Sequence, residues 1–310
     1  MTPRVVLAAD LPELSPQQVN TAVRQAFEAL GAGRAEQPLQ SVMPLDAGGD
    51  VITYSSALHD EDVFCLKVSP YLPQPGGRAV VTAWTLVVST TTGEPVLLVD
   101  SAGLTALRTA ATTALAVDLL ARPQARRLLV VGAGPLARAH VRHVREVRPF
   151  ERVQLWSRSG VPADVAADLG VESAADLASA VAAADVVCLC TSAAEPVVDL
   201  AAVPAGTLVT SISTNAPLAH EVDPAALAAV EVYCDSAPAA LAAAGEMRLA
   251  AERAQWSPDD LRGDLPGLLA GNAPAPSGER PVFFRSVGLG IEDAALALLV
   301  ARAQGAPGSR

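Results

Sequence analysis

The sequence predicts an α/β fold with a Rossmann-type parallel-sheet domain and an α+β domain, and three observations carry that prediction. Beta-prone runs separated by turns fill residues 51–100; continuous apolar strands alternate with helical segments from Arg126 onward; and a glycine turn joins the first of those strands to its helix. A chain of 310 residues is long enough for one large domain or two ordinary ones. The first helix starts at Ser15-Pro16, an N-cap and a first-turn proline, runs through Val19, Val23, Phe27 and Leu30 at helical spacing, and stops at Gly31. Val51–Tyr54, Val63–Val68, Val80–Val88 and Val96–Val99 read as strands of a largely antiparallel sheet, separated by turn-rich pieces such as 73–77 and 92–95. An alanine-rich helix follows from Leu104 to Ala121, before Pro123.

The second half has a different rhythm. Strands at Arg127–Val131, Val153–Trp156, Asp185–Cys190, Thr207–Ile212 and Val230–Cys234 are apolar throughout, with helices at Leu136–Val147 and Ala174–Ala184 between them. Such strands belong to a parallel sheet covered on both faces, which makes Cys188 and Cys190 core residues. The Gly- and Pro-rich stretch Asp264–Arg280 reads as a surface loop or lid, and the chain closes with a strand at Val282–Phe284 and a helix from Ile291 to about Ala303.

Composition narrows the function. The net charge of -11 repels phosphate backbones and anionic lipid, so neither nucleic acid nor membrane is an expected partner. No apolar run reaches the roughly 18 to 20 residues of a membrane helix, and the start lacks the layout of a secretory signal. The expected location is the cytoplasm. Four dispersed cysteines form neither a disulfide framework nor a metal site, and no metal-ligand spacing or Gly-x-Ser-x-Gly occurs elsewhere.

Gly132-Ala133-Gly134-Pro135-Leu136-Ala137 follows a strand and opens a helix, which identifies a Rossmann-type dinucleotide turn. Gly132 permits the tight turn, Gly134 lets the backbone approach a diphosphate, and Ala137 lets helix and strand pack closely. The next strand ends in Trp156-Ser157-Arg158-Ser159, where a protein selective for the unphosphorylated nucleotide would place a carboxylate. A guanidinium between the hydroxyls of Ser157 and Ser159 suits a 2'-phosphate, so NADP(H) is expected over NAD(H).

Of the 22 basic side chains a single one, Lys67, is lysine, and it lies in the beta-prone run Val63–Val68. It is either a strand-end lysine whose head reaches water or a partly desolvated ammonium fit for acid, base or anion-clamp work. His140 and His143 fall on the helix after the glycine turn and are expected to face solvent; His59 and His220 read as surface residues. Lys67 and Arg108 remain as cations able to hold a carboxylate.

Taken together, Lys67 in its strand, Leu107-Arg108-Thr109-Ala110-Ala111-Thr112-Thr113-Ala114, Val130-Val131-Gly132-Ala133-Gly134, Trp156-Ser157-Arg158-Ser159, and Ser286-Val287-Gly288 with Glu292-Asp293 resemble the ornithine cyclodeaminase/mu-crystallin family over nearly the whole chain. The resemblance implies a homodimer, whose substrate-binding and dimerisation domain is made of the N-terminal part and the last helix, 1–120 with 289–310, and whose Rossmann NADP-binding domain, 121–288, lies between. It implies that Lys67 and Arg108 line the substrate pocket near the nicotinamide, with Lys67 catalytic, and that Arg108, Thr109, Thr191, Ser213, Val287 and Gly288 join the glycine turn in holding the cofactor. Two departures bear on the activity. Asn215 stands where cyclodeaminases carry a catalytic aspartate, and an amide cannot take a proton from water. Gln40 stands where many relatives have an arginine of the carboxylate clamp. Both positions are still expected to line the substrate pocket. The resulting expectation is an NADPH-dependent ketimine reductase, acting on the cyclic imino acids delta-1-pyrroline-2-carboxylate and delta-1-piperideine-2-carboxylate in proline and pipecolate metabolism. The alternatives are an ornithine cyclodeaminase, an amino acid dehydrogenase, or an NADPH-dependent small-ligand binding protein of the mu-crystallin type.

Overall fold

The computed structural model describes residues 3–74, 76–77, 79–213 and 218–305. The chain divides into two compact units, Met1–Arg108 with Leu289–Arg310, and Thr109–Gly288. The division falls inside a helix rather than at 120/121, because that helix serves both units: Thr105 and Arg108 in its first turns bond residues of the first unit, whereas Thr113 bonds His140 of the second.

The first unit is built from β1 (Arg4–Val6), α1 (Pro16–Gly31), β2 (Ala35–Glu36), β3 (Ser41–Pro44), β4 (Asp50–Leu58), β5 (Val63–Pro73), β6 (Ala79–Val81), β7 (Trp84–Ser89), β8 (Pro95–Asp100) and the start of α2 (Ala102–Leu120). Its sheet has the order β1-β8-β7-β5-β4-β2, with β3 on β4 and β6 on β5. Every pairing is antiparallel except β1 with β8. Alternation decides the faces: Ile52, Tyr54, Ser56 and Leu58 of β4 and Val63, Cys65 and Lys67 of β5 point to the buried side. On the other side Phe64 and Val80 are exposed. Helix α1 carries the expected cap, with Ser15 Oγ accepting from Gln18 N at 3.3 Å, and buries Val19, Val23, Ala26 and Phe27.

The second unit continues from α2 into β9 (Arg127–Val131), α3 (Pro135–Val147), β10 (Arg152–Trp156), α4 (Ala163–Leu169), β11 (Glu172–Ser173), α5 (Leu177–Ala183), β12 (Val186–Leu189), β13 (Leu208–Ser211), β14 (Glu231–Cys234), α6 (Ala237–Ala243), α7 (Gly245–Glu252), β15 (Gly263–Asp264), α8 (Leu265–Leu269) and β16 (Val282–Arg285). All its strand pairs are parallel, in the order β11-β10-β9-β12-β13-β16-β14-β15. Cys188 and Cys190 are buried there. Helix α9 (Gly290–Ala303) then returns to the first unit, where a Cβ on Gly290 would fall 2.6 Å from Ser55 O. Only glycine lets the start of α9 approach β4 so closely.

Four further expectations change, and the first is the strand read as Val80–Val88, which forms two, β6 and β7, that pair with successive parts of β5. The helix expected from Ala174 begins at Leu177, after a short strand at Glu172–Ser173, because Asp176 caps it by accepting from Ser179 N at 2.8 Å. The stretch 264–280 is not loop throughout: Asp264 caps α8, which buries Leu265 and Pro266. His140 and His143 do not face solvent; both are buried. His140 Nδ1 donates to Leu136 O at 2.7 Å and its Nε2 faces Thr113 Oγ1 at 3.0 Å, which fixes a neutral ring with the hydroxyl as donor. Burial pushes His140 down from its ordinary 6.5 to about 4. Burial first, then repulsion from His140 and Arg142, does the same to His143.

A pKa depressed in the folded state means that the unfolded chain binds the extra proton first. Stability is therefore full above pH 6.5 and falls as the pH drops toward about 4, with about 3 kcal/mol at stake for His140. Urea unfolding at pH 7 and pH 5 checks this. The wild-type loss should shrink in His140→Gln, and an unchanged loss would show that the buried ring does not drive it.

Candidate active site

The first unit gathers a buried ionic cluster. Lys67 sits on the central strand β5, flanked by Tyr54 of β4 and Thr85 of β7 on the covered face, which explains why it is only 2% exposed. Its ammonium donates to Thr105 Oγ1 at 3.1 Å and to Asp293 Oδ1 at 3.0 Å, and lies 5.2 Å from the centre of the Tyr54 ring. One turn after Thr105 on α2, Arg108 donates through Nη1 to Glu292 Oε2 at 2.8 Å, and its Nε lies 3.4 Å from Asp293 Oδ1. Glu292 and Asp293 stand in the first turn of α9, where a helix N-terminus favours carboxylates. Glu292 Oε1 also accepts from Leu289 N at 3.2 Å.

Burial lowers the Lys67 pKa, and Asp293 opposes that fall. For Arg108, burial alone would also lower it, but Asp293 and Glu292 more than offset this and hold the guanidinium charged. Two formal cations thus face two formal anions. The carboxylate clamp expected from Lys67 and Arg108 is occupied internally, which the residue types alone did not reveal. Gln40, just before β3, is half-buried and its Oε1 has no hydrogen-bond partner among the described residues. Nearby in sequence, Gln37 Oε1 accepts from Ile291 N at 3.3 Å, which ties this segment to the start of α9. Asn215 lies outside the described residues.

In the second unit the expected cofactor residues collect at the carboxyl ends of the parallel strands. Chain order reverses between β9 and β12, so the glycine turn after β9 stands at the switch point where such sheets bind ligands. Gly132 has φ +139°, and a Cβ there would lie 2.6 Å from Cys190 O and 3.4 Å from Ala137 Cβ. Gly132 N donates to Trp156 O at 2.7 Å, tying the turn to the end of β10. Gly134 is the N-cap of α3, Pro135 and Leu136 begin the helix, and Ala137 is fully buried. A Cβ on Gly134 would meet nothing within 4 Å, so the first amides of α3 open onto free space. A diphosphate fits such a helix start. After β10, Ser157 Oγ and Ser159 Oγ lie 3.3 Å apart and Arg158 is exposed beside them.

Two buried carboxylates that the sequence did not single out organise the neighbouring strand ends. Glu221 accepts from Thr191 N and Oγ1 at 3.0 and 2.6 Å, from Ser211 Oγ at 2.7 Å and from Ser213 N at 2.9 Å. Thr191 and Ser213 are thereby fixed, while the Ser213 hydroxyl is buried without a partner among the described residues. Asp235 accepts from Ser286 Oγ at 2.9 Å, Val287 N at 2.6 Å, Gly288 N at 3.0 Å and Ser236 N at 2.8 Å. Burial raises the Asp235 pKa, against the pull of these donors. The Val287 and Gly288 amides are therefore taken. Thr109 lies in α2, on the second unit's side of the division, and is buried.

Comparison with known proteins agrees with this arrangement. Residues 6–305 match the model of the ornithine cyclodeaminase/mu-crystallin family. The chain is 47% identical over 302 residues to an NAD(P)H-dependent anabolic L-arginine dehydrogenase from Pseudomonas aeruginosa, covering 96% of each chain. It is 31% identical over 216 residues to a delta(1)-pyrroline-2-carboxylate reductase from Colwellia psychrerythraea, covering 65% of this chain and 67% of that one. Among solved structures, the delta(1)-pyrroline-2-carboxylate reductase of Thermococcus litoralis, in complex with NADH and L-proline, superposes with a TM-score of 0.87 at 26% identity, covering 98% of both chains.

Proposed function

Since the chain belongs to the ornithine cyclodeaminase/mu-crystallin family, we propose that it is an NAD(P)H-dependent oxidoreductase that reduces the C=N bond of an α-imino acid, with the 2-imino form of arginine as substrate. The observation that carries the reaction class is the buried cluster in which Lys67 and Arg108 stand together in the first unit. Identity of 47% over nearly the whole chain to an L-arginine dehydrogenase supports the substrate. The cyclic ketimines are the second reading, favoured by the likeness to pyrroline-2-carboxylate reductases.

The nucleotide, when bound, supplies hydride to the imine carbon. This chain's residues do the rest. The glycine turn Gly132–Ala137 and the start of α3 hold the diphosphate, Ser157, Arg158 and Ser159 receive a 2'-phosphate, and Thr109, Thr191, Ser213, Val287 and Gly288 border the nicotinamide half. Two of the three Lys67 N–H groups serve Thr105 and Asp293, and the third takes the substrate carboxylate together with Arg108. Gln40 borders the substrate, and Lys67 or an ordered water supplies the proton that the nitrogen gains. A homodimer is part of the same reading, formed through the sheet face on which Phe64 and Val80 are exposed. Light scattering should give twice the chain mass, and the mass of one chain would remove the dimer.

The test follows NADPH absorbance with 2-oxo-5-guanidinopentanoate plus ammonia, then with each cyclic imine, then with pyruvate plus ammonia, and measures ammonia released from ornithine. Consumption in the first mixture supports the arginine reading, and consumption only with cyclic imines supports the second. Ammonia from ornithine, or nucleotide binding without any turnover, overturns both. NADH better than NADPH by more than tenfold in kcat/KM would refute the assignment of Arg158.

A further inference from the structure

We propose that Asp293 is a substrate-binding residue whose carboxylate oxygen Oδ2 accepts a hydrogen bond from the nitrogen of the bound amino or imino acid, so that the site selects ligands carrying a protonated nitrogen beside their carboxylate. The proposal rests on the amino-acid reading above and adds to it the means of recognising the nitrogen.

The two oxygens of Asp293 are used unequally. Oδ1 faces both cations, Lys67 Nζ at 3.0 Å and Arg108 Nε at 3.4 Å. Oδ2 is buried and has no hydrogen-bond partner among the described residues. A buried acceptor left unpaired is costly, and most for a charged group, so Oδ2 is in want of a donor from outside the fold, and it lies on the carboxylate that faces both cations of the site. Glu292 is not equivalent, since its Oε1 caps α9 at Leu289 N and its Oε2 takes Arg108.

Charge points the same way. Lys67 and Arg108 are formally matched by Glu292 and Asp293, and all four are nearly buried. A ligand that brought only a carboxylate would leave an unmatched negative charge in a poorly solvated place, which is penalised. A ligand with a carboxylate and a protonated nitrogen adds no net charge. Its carboxylate turns to the cations and its N–H to Oδ2, the one carboxylate oxygen of the cluster that lacks a donor.

The experiment compares ligand pairs that differ only in the nitrogen: L-arginine against 5-guanidinopentanoate, and L-proline against cyclopentanecarboxylate, each measured as an inhibitor of imine reduction and by calorimetry on the NADP-loaded protein. In the wild type the nitrogen-bearing member of the pair that binds should be at least tenfold tighter. Asp293→Asn should weaken that member at least tenfold and change its deamino partner less than threefold. Equal weakening of both would mean that Asp293 only positions Lys67 and Arg108, and it would overturn the proposal. Should Asp293→Asn fail to fold, the wild-type comparison still decides, because a deamino carboxylate binding as tightly as the amino acid refutes a nitrogen acceptor. If the wild type turns over no imino acid and binds neither pair, the amino-acid reading fails and Asp293 falls with it. Turnover with unchanged selectivity in the variant refutes Asp293 alone.

Discussion

Lys67→Ala is expected to lower kcat/KM for imine reduction by at least tenfold while leaving NADPH affinity unchanged. The ammonium is held at Thr105 and Asp293 and is nearly buried, and a charge-assisted hydrogen bond to a substrate carboxylate there contributes about 1.5–3 kcal/mol. Loss of one such bond is worth roughly ten- to a hundredfold in rate. The substitution also removes the partner of a buried carboxylate, although Arg108 Nε remains 3.4 Å from Asp293 Oδ1, so thermal unfolding must be recorded beside the kinetics. A change under twofold would remove Lys67 from the mechanism. The pH profile supplies a second reading of the same group. Burial lowers the Lys67 pKa, so its charged form, and with it substrate binding, should fade as pH rises at values below those usual for lysine. Lys67→Arg should carry the binding limb to higher pH.

The other large effect lies in the second unit. Gly134→Asp is expected to weaken NADPH binding on the order of a hundredfold without lowering the melting temperature. The position has φ -78°, within reach of any residue, and a Cβ there meets nothing within 4 Å. Asp is moreover a good N-cap, so the fold has no reason to object. The diphosphate does: two like charges about 4 Å apart repel by about 4 kcal/mol at an effective dielectric near 20. Fluorescence titration with NADPH and a melting curve together check this. Undiminished affinity in a folded variant would mean that the start of α3 does not hold the diphosphate. Gly132 would be a poorer probe, because a Cβ at that position strikes the Cys190 carbonyl and the fold would suffer with the ligand.

Much of this molecule could be read locally. The Ser15 cap, the beta-prone run that begins β5, the apolar strands of the second sheet and the glycine turn are signals contained in a few consecutive residues, and each element formed at or next to the place its pattern gave, β5 running on from Val68 to Pro73. The misreadings have one cause in common. His140 and His143 looked like surface residues because polarity along a helix suggests an outer face, yet Thr113, 27 residues earlier, supplies the partner that makes burial of His140 tolerable. Glu221 and Asp235 escaped notice because nothing in their neighbourhoods in sequence announces the Thr191, Ser211, Ser213, Val287 and Gly288 donors that they hold.

Lys67 marks the limit most sharply. As the single lysine in an otherwise apolar strand it was identifiable as an unusual group from the sequence, but with apolar residues on both alternating faces the run left open whether its head reaches water or is covered. What it pairs with was decided by the return of α9, which brings Asp293 from 226 residues away to 3.0 Å. Periodicity fixes which way a side chain points, because it follows from the local backbone. Which charge it meets depends on long-range packing, here on a glycine at 290 that lets one helix start settle against β4.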